Sequence, residues 1–94
     1  MVHMEVTYER TVRCVIACEN EFDQGSFVPV KVACNEEDFD LGLHYEAAEA
    51  WAVSRGYEVF MVVDEVEMQP ATVLAAFDWD AAPTIDPKGE YYPF

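Results

Sequence analysis

Basic residues are what this sequence has least of for its size. Five Lys and Arg stand against nineteen Asp and Glu in 94 residues, a formal net charge of −14. That scarcity argues against a chain that binds nucleic acid or an anionic membrane surface directly, since both would repel it. Long apolar runs are missing too. The longest hold four or five residues, as in Val59 to Val63, whereas a helical membrane span needs about 20. Residues 1–19 lack the basic start and apolar block of a secretory signal, so a cytoplasmic setting is expected. Three cysteines, Cys14, Cys18 and Cys34, are an odd number. They leave no complete disulfide framework and fit a reducing compartment. The four glycines, at 25, 42, 56 and 89, build no phosphate-cradling loop. Ser26 and Ser54 sit in no nucleophile-elbow pattern.

The composition is otherwise that of a folded domain. Apolar residues make up 52% and aromatics 14%, which excludes an acidic disordered tail. A chain this short forms one domain, residues 1–94. From Val6 to Cys18 the even positions are apolar except for Arg10, the period-two signature of a strand with one buried face. A polar turn, Glu19 to Gly25, leads to a second strand from Phe27 to Cys34 with Val28, Val30, Val32 and Cys34 inward. Pro29 lacks an amide donor and suggests an edge there. The two strands are expected to form a hairpin pairing Cys14 with Val32 and Val12 with Cys34. Residues 41–55 then change period. Leu41, Leu43, His44, Ala47, Ala48, Trp51 and Ala52 share one helical arc, with Glu46, Glu49 and Val53 opposite. Asp38 and Asp40 are candidate N-caps, and Gly56 is the expected C-terminal stop. Residues 57–67 read as a third, central strand. In residues 72–79, Val73, Ala75, Phe77 and Trp79 alternate, which favours a fourth strand, although Pro70 would equally open a short helix. From about residue 81 the chain is expected to be an irregular tail pinned by Tyr91, Tyr92 and Phe94. The predicted fold is α+β: a small antiparallel β-β-α-β-β sheet with one amphipathic helix packed on one face.

The chemistry-bearing residues are few. Cys14 and Cys18 lie four apart on one strand face, roughly 13 Å, too far to share one zinc. They read as small apolar core residues. His44, one of two histidines, sits at the edge of the helix's apolar arc and reads as a satisfied core side chain. No acidic stretch meets the EF-hand pattern: from Glu36 the sixth position is Leu41, and from Asp38 it is Leu43. No catalytic residue, metal site or cofactor is assigned, and the chain is not expected to be an enzyme.

What remains is the acidity. Glu36, Glu37, Asp38 and Asp40 crowd the helix start, Glu46 and Glu49 continue along its exposed face, and Asp64, Glu65 and Glu67 close the third strand. Lys31 and Arg55 are the only bases between residues 14 and 87. Carboxylates spaced like phosphates can dock into a Lys- and Arg-lined groove that normally holds nucleic acid. Phe39, Tyr45 or the tail aromatics would anchor such a contact. Three other readings are an acidic module for some other basic protein, halophilic solvation of the surface, and an enzyme with converging carboxylates.

In size, charge and the acidic residues Glu36 to Asp40, Glu46, Glu49 and Asp64 to Glu67, the chain resembles the small phage-encoded anti-CRISPR proteins and DNA-mimic antirestriction proteins. The resemblance implies a cytoplasmic binder that covers the DNA-binding surface of a CRISPR effector complex and blocks target DNA, with no cofactor. An immunity- or antitoxin-type inhibitor of a nuclease is the alternative. Either way the partner is a basic, nucleic-acid-binding protein, and the expected contact residues are Glu36, Glu37, Asp38, Asp40, Glu46, Glu49, Asp64, Glu65 and Glu67.

Overall fold

Alternating apolar residues build the centre of the sheet. In a computed structural model, which describes residues 10–20, 22, 24–68 and 71–87, they form β1 (Arg10–Glu19) and, antiparallel to it, β2 (Gly25–Cys34). Val6 to Glu9, His3 and the tail aromatics Tyr91, Tyr92 and Phe94 lie outside the described residues. Asn20 closes the hairpin, its Oδ1 accepting the amides of Phe22 at 2.9 Å and Gln24 at 3.1 Å. The pairing sets Val12 opposite Val32 and Cys14 opposite Val30. That is two residues from the predicted register. A two-residue slip keeps every side chain on its own face, so hydrophobic alternation alone does not distinguish the two.

Helix α1 (Glu36–Asp40) and helix α2 (Leu43–Ser54) follow. Neither Asp38 nor Asp40 caps α2. Gly42, in the left-handed region at φ 74°, takes the N-cap position and turns α1 into α2. The predicted stop is as expected. Gly56 has φ 87°, its amide reaches Val53 O at 3.0 Å, and the Tyr57 amide reaches Ala52 O at 3.1 Å. These two bonds make a Schellman motif. Ala47, Ala48, Trp51 and Ala52 of α2 pack on Val12, Cys14, Ile16, Cys18, Val30, Val32 and Cys34, the inward face of the hairpin. The small alanines let the helix lie close on the sheet.

Three elements depart from expectation. β3 (Glu58–Asp64) pairs antiparallel with β1 on the side away from β2, so it is an edge strand and β1 is central. Its unbroken apolar run comes from a bulge: the register shifts opposite Ala17 and Cys18, leaving Phe60 as the extra residue. Residues 72–79 form no strand. Ala71–Ala75 is the short helix α3, and Trp79 Nε1 donates back to Leu74 O at 2.7 Å. Four alternating positions were too few to outweigh local helix-forming alanines. The fourth strand lies instead in the supposed tail. β4 (Thr84–Ile85) runs parallel to β2, with Lys31 beside Thr84 and Val32 beside Ile85. Ile85 is fully buried in the core.

The result is an α+β fold with a mixed four-stranded sheet, order β3-β1-β2-β4. Pro29 fits this arrangement. Lys31 donates its amide outward to Pro83 O at 2.9 Å. Two residues back, Pro29 faces the same side of β2, beyond the two residues that β4 pairs. β2 is therefore an edge at Pro29, although β4 flanks it further along.

Candidate functional site

The nine predicted contact residues fall into two groups. Glu36, Glu37 and Asp40 on α1, and Glu46 and Glu49 on α2, are exposed, while Asp38 is half-buried. All six belong to the helical layer on the side of the sheet that α2 covers. Glu46 and Glu49 project opposite the buried arc, as the wheel predicted. Because these carboxylates sit on helices, neighbours at i, i+3 and i, i+4 set their spacing rather than strand alternation. One base answers them at close range: Arg10 Nη1 lies 3.3 Å from Glu36 Oε1, with its guanidinium 4.1 Å above the Phe39 ring. Arg10, the one breach in the β1 pattern, thus uses its stem to reach the edge of the core.

Asp64, Glu65 and Glu67 do different work. Asp64 is only 4% exposed. Its Oδ1 accepts the amides of Val66 and Glu67, both at 3.0 Å, and its Oδ2 meets His44 Nε2 at 2.9 Å. Burial alone would raise the Asp64 carboxyl. The His44 bond, the Glu67 amide and the Tyr45 hydroxyl together outweigh that and hold it below the usual aspartate value. An ionised Asp64 requires the proton of this bond to reside on His44 Nε2. Glu65 is half-buried and accepts both the Arg13 amide at 2.9 Å and its guanidinium at 3.4 Å. Glu67 is exposed and accepts the Tyr45 hydroxyl. These three carboxylates tie the end of β3 to β1 and α2, and Asp64 has no surface to offer a partner.

The predicted anchors are likewise engaged. Phe39 is half-buried and stacks on the His44 ring at 4.9 Å, and Tyr45 covers the same ring at 4.2 Å. Of the apolar side chains left exposed beside the acids, which include Leu43 and Val53 on α2, Leu41, at 68%, and Val66, at 62%, are the most exposed. They flank an open cleft of about 450 Å³ whose floor includes Phe39 and Tyr45 and whose rim carries Asp40 and Glu67. A hydrophobic anchor ringed by charge is the arrangement that concentrates binding energy in protein interfaces. Sequence reading missed Leu41 as an exposed residue because it lies on the apolar arc. The turn at Gly42 places it outside α2.

Other reactive groups are quenched. Burial, reinforced by Asp64 and Glu65, pushes the Cys14 thiol up to about 12, and burial raises Cys18 and Cys34 as well. All three cysteines are unpaired and buried, and a protonated buried thiol is a poor nucleophile. Among the described residues, no three His, Cys, Asp or Glu side chains converge to hold a metal ion. Nor is any described helix long and apolar enough to cross a membrane. No protein family matches the chain, and neither a curated protein nor a solved structure is similar to it.

Proposed function

We propose that this chain is a stoichiometric inhibitor of the anti-CRISPR type, an acidic DNA mimic. It would bind the basic DNA-contacting surface of a CRISPR effector complex and block target DNA, without catalysis or cofactor. The observation that carries the reading is the grouping of six carboxylates on the helical layer beside the Leu41–Val66 cleft, with Arg10 and Arg55 as the nearby bases. Arginines and lysines that normally grip phosphates would meet Glu36, Glu37, Asp38, Asp40, Glu46 and Glu49. Charge would speed and orient the encounter, and Leu41 with Val66 would supply much of the affinity.

The test is a titration of this chain into purified CRISPR effector complexes and, in parallel, basic nucleases, each holding a labelled duplex. Release of duplex from an effector complex near one chain per complex is the expected result. Release from a nuclease alone would instead assign an immunity-type inhibitor. Release from neither would leave an acidic module for basic proteins unrelated to nucleic acid and would overturn the proposal.

A further inference from the structure

His44 is held by three neighbours. Asp64 Oδ2 meets its Nε2 at 2.9 Å, and the Phe39 and Tyr45 rings lie 4.9 Å and 4.2 Å from its own. The other ring nitrogen, Nδ1, is buried and has no hydrogen-bond partner among the described residues. Because the proton of the Asp64 bond resides on Nε2, Nδ1 carries a lone pair and is an acceptor. A buried acceptor without a donor costs stability, so this position calls for one.

A cavity of about 200 Å³ borders His44, where the end of β2, α1, the start of α2 and the residue that follows Asp86 come together. Val32, Leu43 and Pro87 form apolar walls, the Cys34 thiol lies beside them, and Asp38 is the other polar side chain. Phe39, Tyr45 and Asp64 border the Leu41–Val66 cleft and not this cavity. The cavity therefore meets the imidazole on the side away from Asp64, the side that carries Nδ1. The Asp38 carboxylate is half-buried and has no hydrogen bond or ion pair among the described residues. Two unsatisfied acceptors, one of them anionic, thus share one apolar-walled cavity.

We propose that this cavity is the receptor for an arginine side chain of the basic partner. The guanidinium donates to His44 Nδ1 and to Asp38, and the alkyl stem lies against Val32, Leu43 and Pro87. Chemistry selects this occupant. An anion is repelled by Asp38, and a neutral donor leaves the carboxylate uncompensated. An ammonium is compact and strongly hydrated. A guanidinium spreads its N–H donors over a plane, reaches two separate acceptors and sheds water more easily. The chain's own Arg10 is already engaged, 3.3 Å from Glu36 and 4.1 Å above the Phe39 ring. The source of the arginine rests on the inhibitor reading above; the affinity of the cavity for a guanidinium does not.

The probe is ethylguanidinium chloride, titrated into the full chain at constant ionic strength while the imidazole nitrogens are followed by NMR. His44 Nδ1 is expected to shift as an accepted hydrogen bond requires and to saturate in the millimolar range, as a ligand of so few atoms allows. His3 should not move. Asp38→Asn should bind about tenfold more weakly, through loss of the charge-assisted bond, and Glu49→Gln should bind as wild type. Ethylurea, neutral and similar in shape, should give no saturable shift. An unmoved Nδ1 would leave water as the filling of the cavity and overturn the proposal. Equal weakening by Asp38→Asn and Glu49→Gln, or equal binding of ethylurea, would overturn it too. Binding that appears only in Lys88→Gln would assign the cavity to this chain's own Lys88 and overturn it equally. An acetyl-Gly-Arg-Gly amide should reproduce the shift; if it does not, the cavity takes a free guanidinium rather than a side chain, and the receptor role falls. Binding of both probes by a chain that displaces no duplex would uphold the receptor and overturn only the inhibitor reading.

Discussion

The Asp64 carboxylate joins three parts of the molecule: the end of β3, the turn at residues 65–67 and, through His44, the start of α2. Replacing it with Asn keeps the shape but loses the charge-assisted bonds. Asp64→Asn is expected to lower stability by roughly 2–3 kcal/mol in urea unfolding at neutral pH. The pH dependence has a definite sign. The Asp64 carboxyl is lowered on folding, so the unfolded chain binds its proton more readily. Its contribution is therefore present above the ordinary aspartate value of 3.8 and lost as pH falls toward the folded value. Wild type should lose stability through that acid window, and Asp64→Asn should lose less, which unfolding curves at neutral and acid pH would reveal. Sequence reading placed Asp64 on the surface with its acidic neighbours. A pairing across twenty residues leaves no local signal. The clue was indirect: a histidine on an apolar helix arc needs a polar partner, and Asp64 ends the apolar strand that packs beside α2.

At the scale of elements, the boundaries written in local chemistry were legible and those set by tertiary pairing were not. Alternation located β1 and β2, the helical arc located α2, and Gly56 ended it. At Gly56 a side chain would meet nothing within 4 Å, but φ is +87°. Gly56→Ala therefore costs only the left-handed conformation, about 1–2 kcal/mol, read as a lowered thermal midpoint with the native spectrum retained. By contrast, β4 is two residues long, too short for any periodicity, and only its docking beside Val32 reveals it. Ile85 nevertheless sits fully inside. Ile85→Ala should cost about 2–5 kcal/mol, a loss that an irregular exposed tail would not produce. β3 misled for the opposite reason. A bulge and exposed Phe60 and Met61 imitate the unbroken apolar run of a central strand.

Across the whole molecule, one group of six acids lies on α1 and α2, and the other described acids lie on the strands and loops. A net charge of −14 on so small a body repels itself. Added salt is expected to raise the unfolding midpoint by screening, and to raise it less in a chain whose Glu36, Glu37, Asp38 and Asp40 are replaced by Gln or Asn. The acidic grouping itself was legible in the sequence. Which of the nine carboxylates are free to meet a partner was not, because Asp64 and Glu65 are withdrawn by contacts with distant His44 and Arg13. The central claim is that the carboxylates of the helical layer engage a cationic, nucleic-acid-binding surface. Its most direct measurement is displacement of a labelled target duplex from a purified CRISPR effector complex by wild type and by the folded quadruple variant, side by side. At about 0.5 kcal/mol for each exposed pair, the variant should be weaker by roughly thirtyfold. Equal displacement by the two chains would contradict the account.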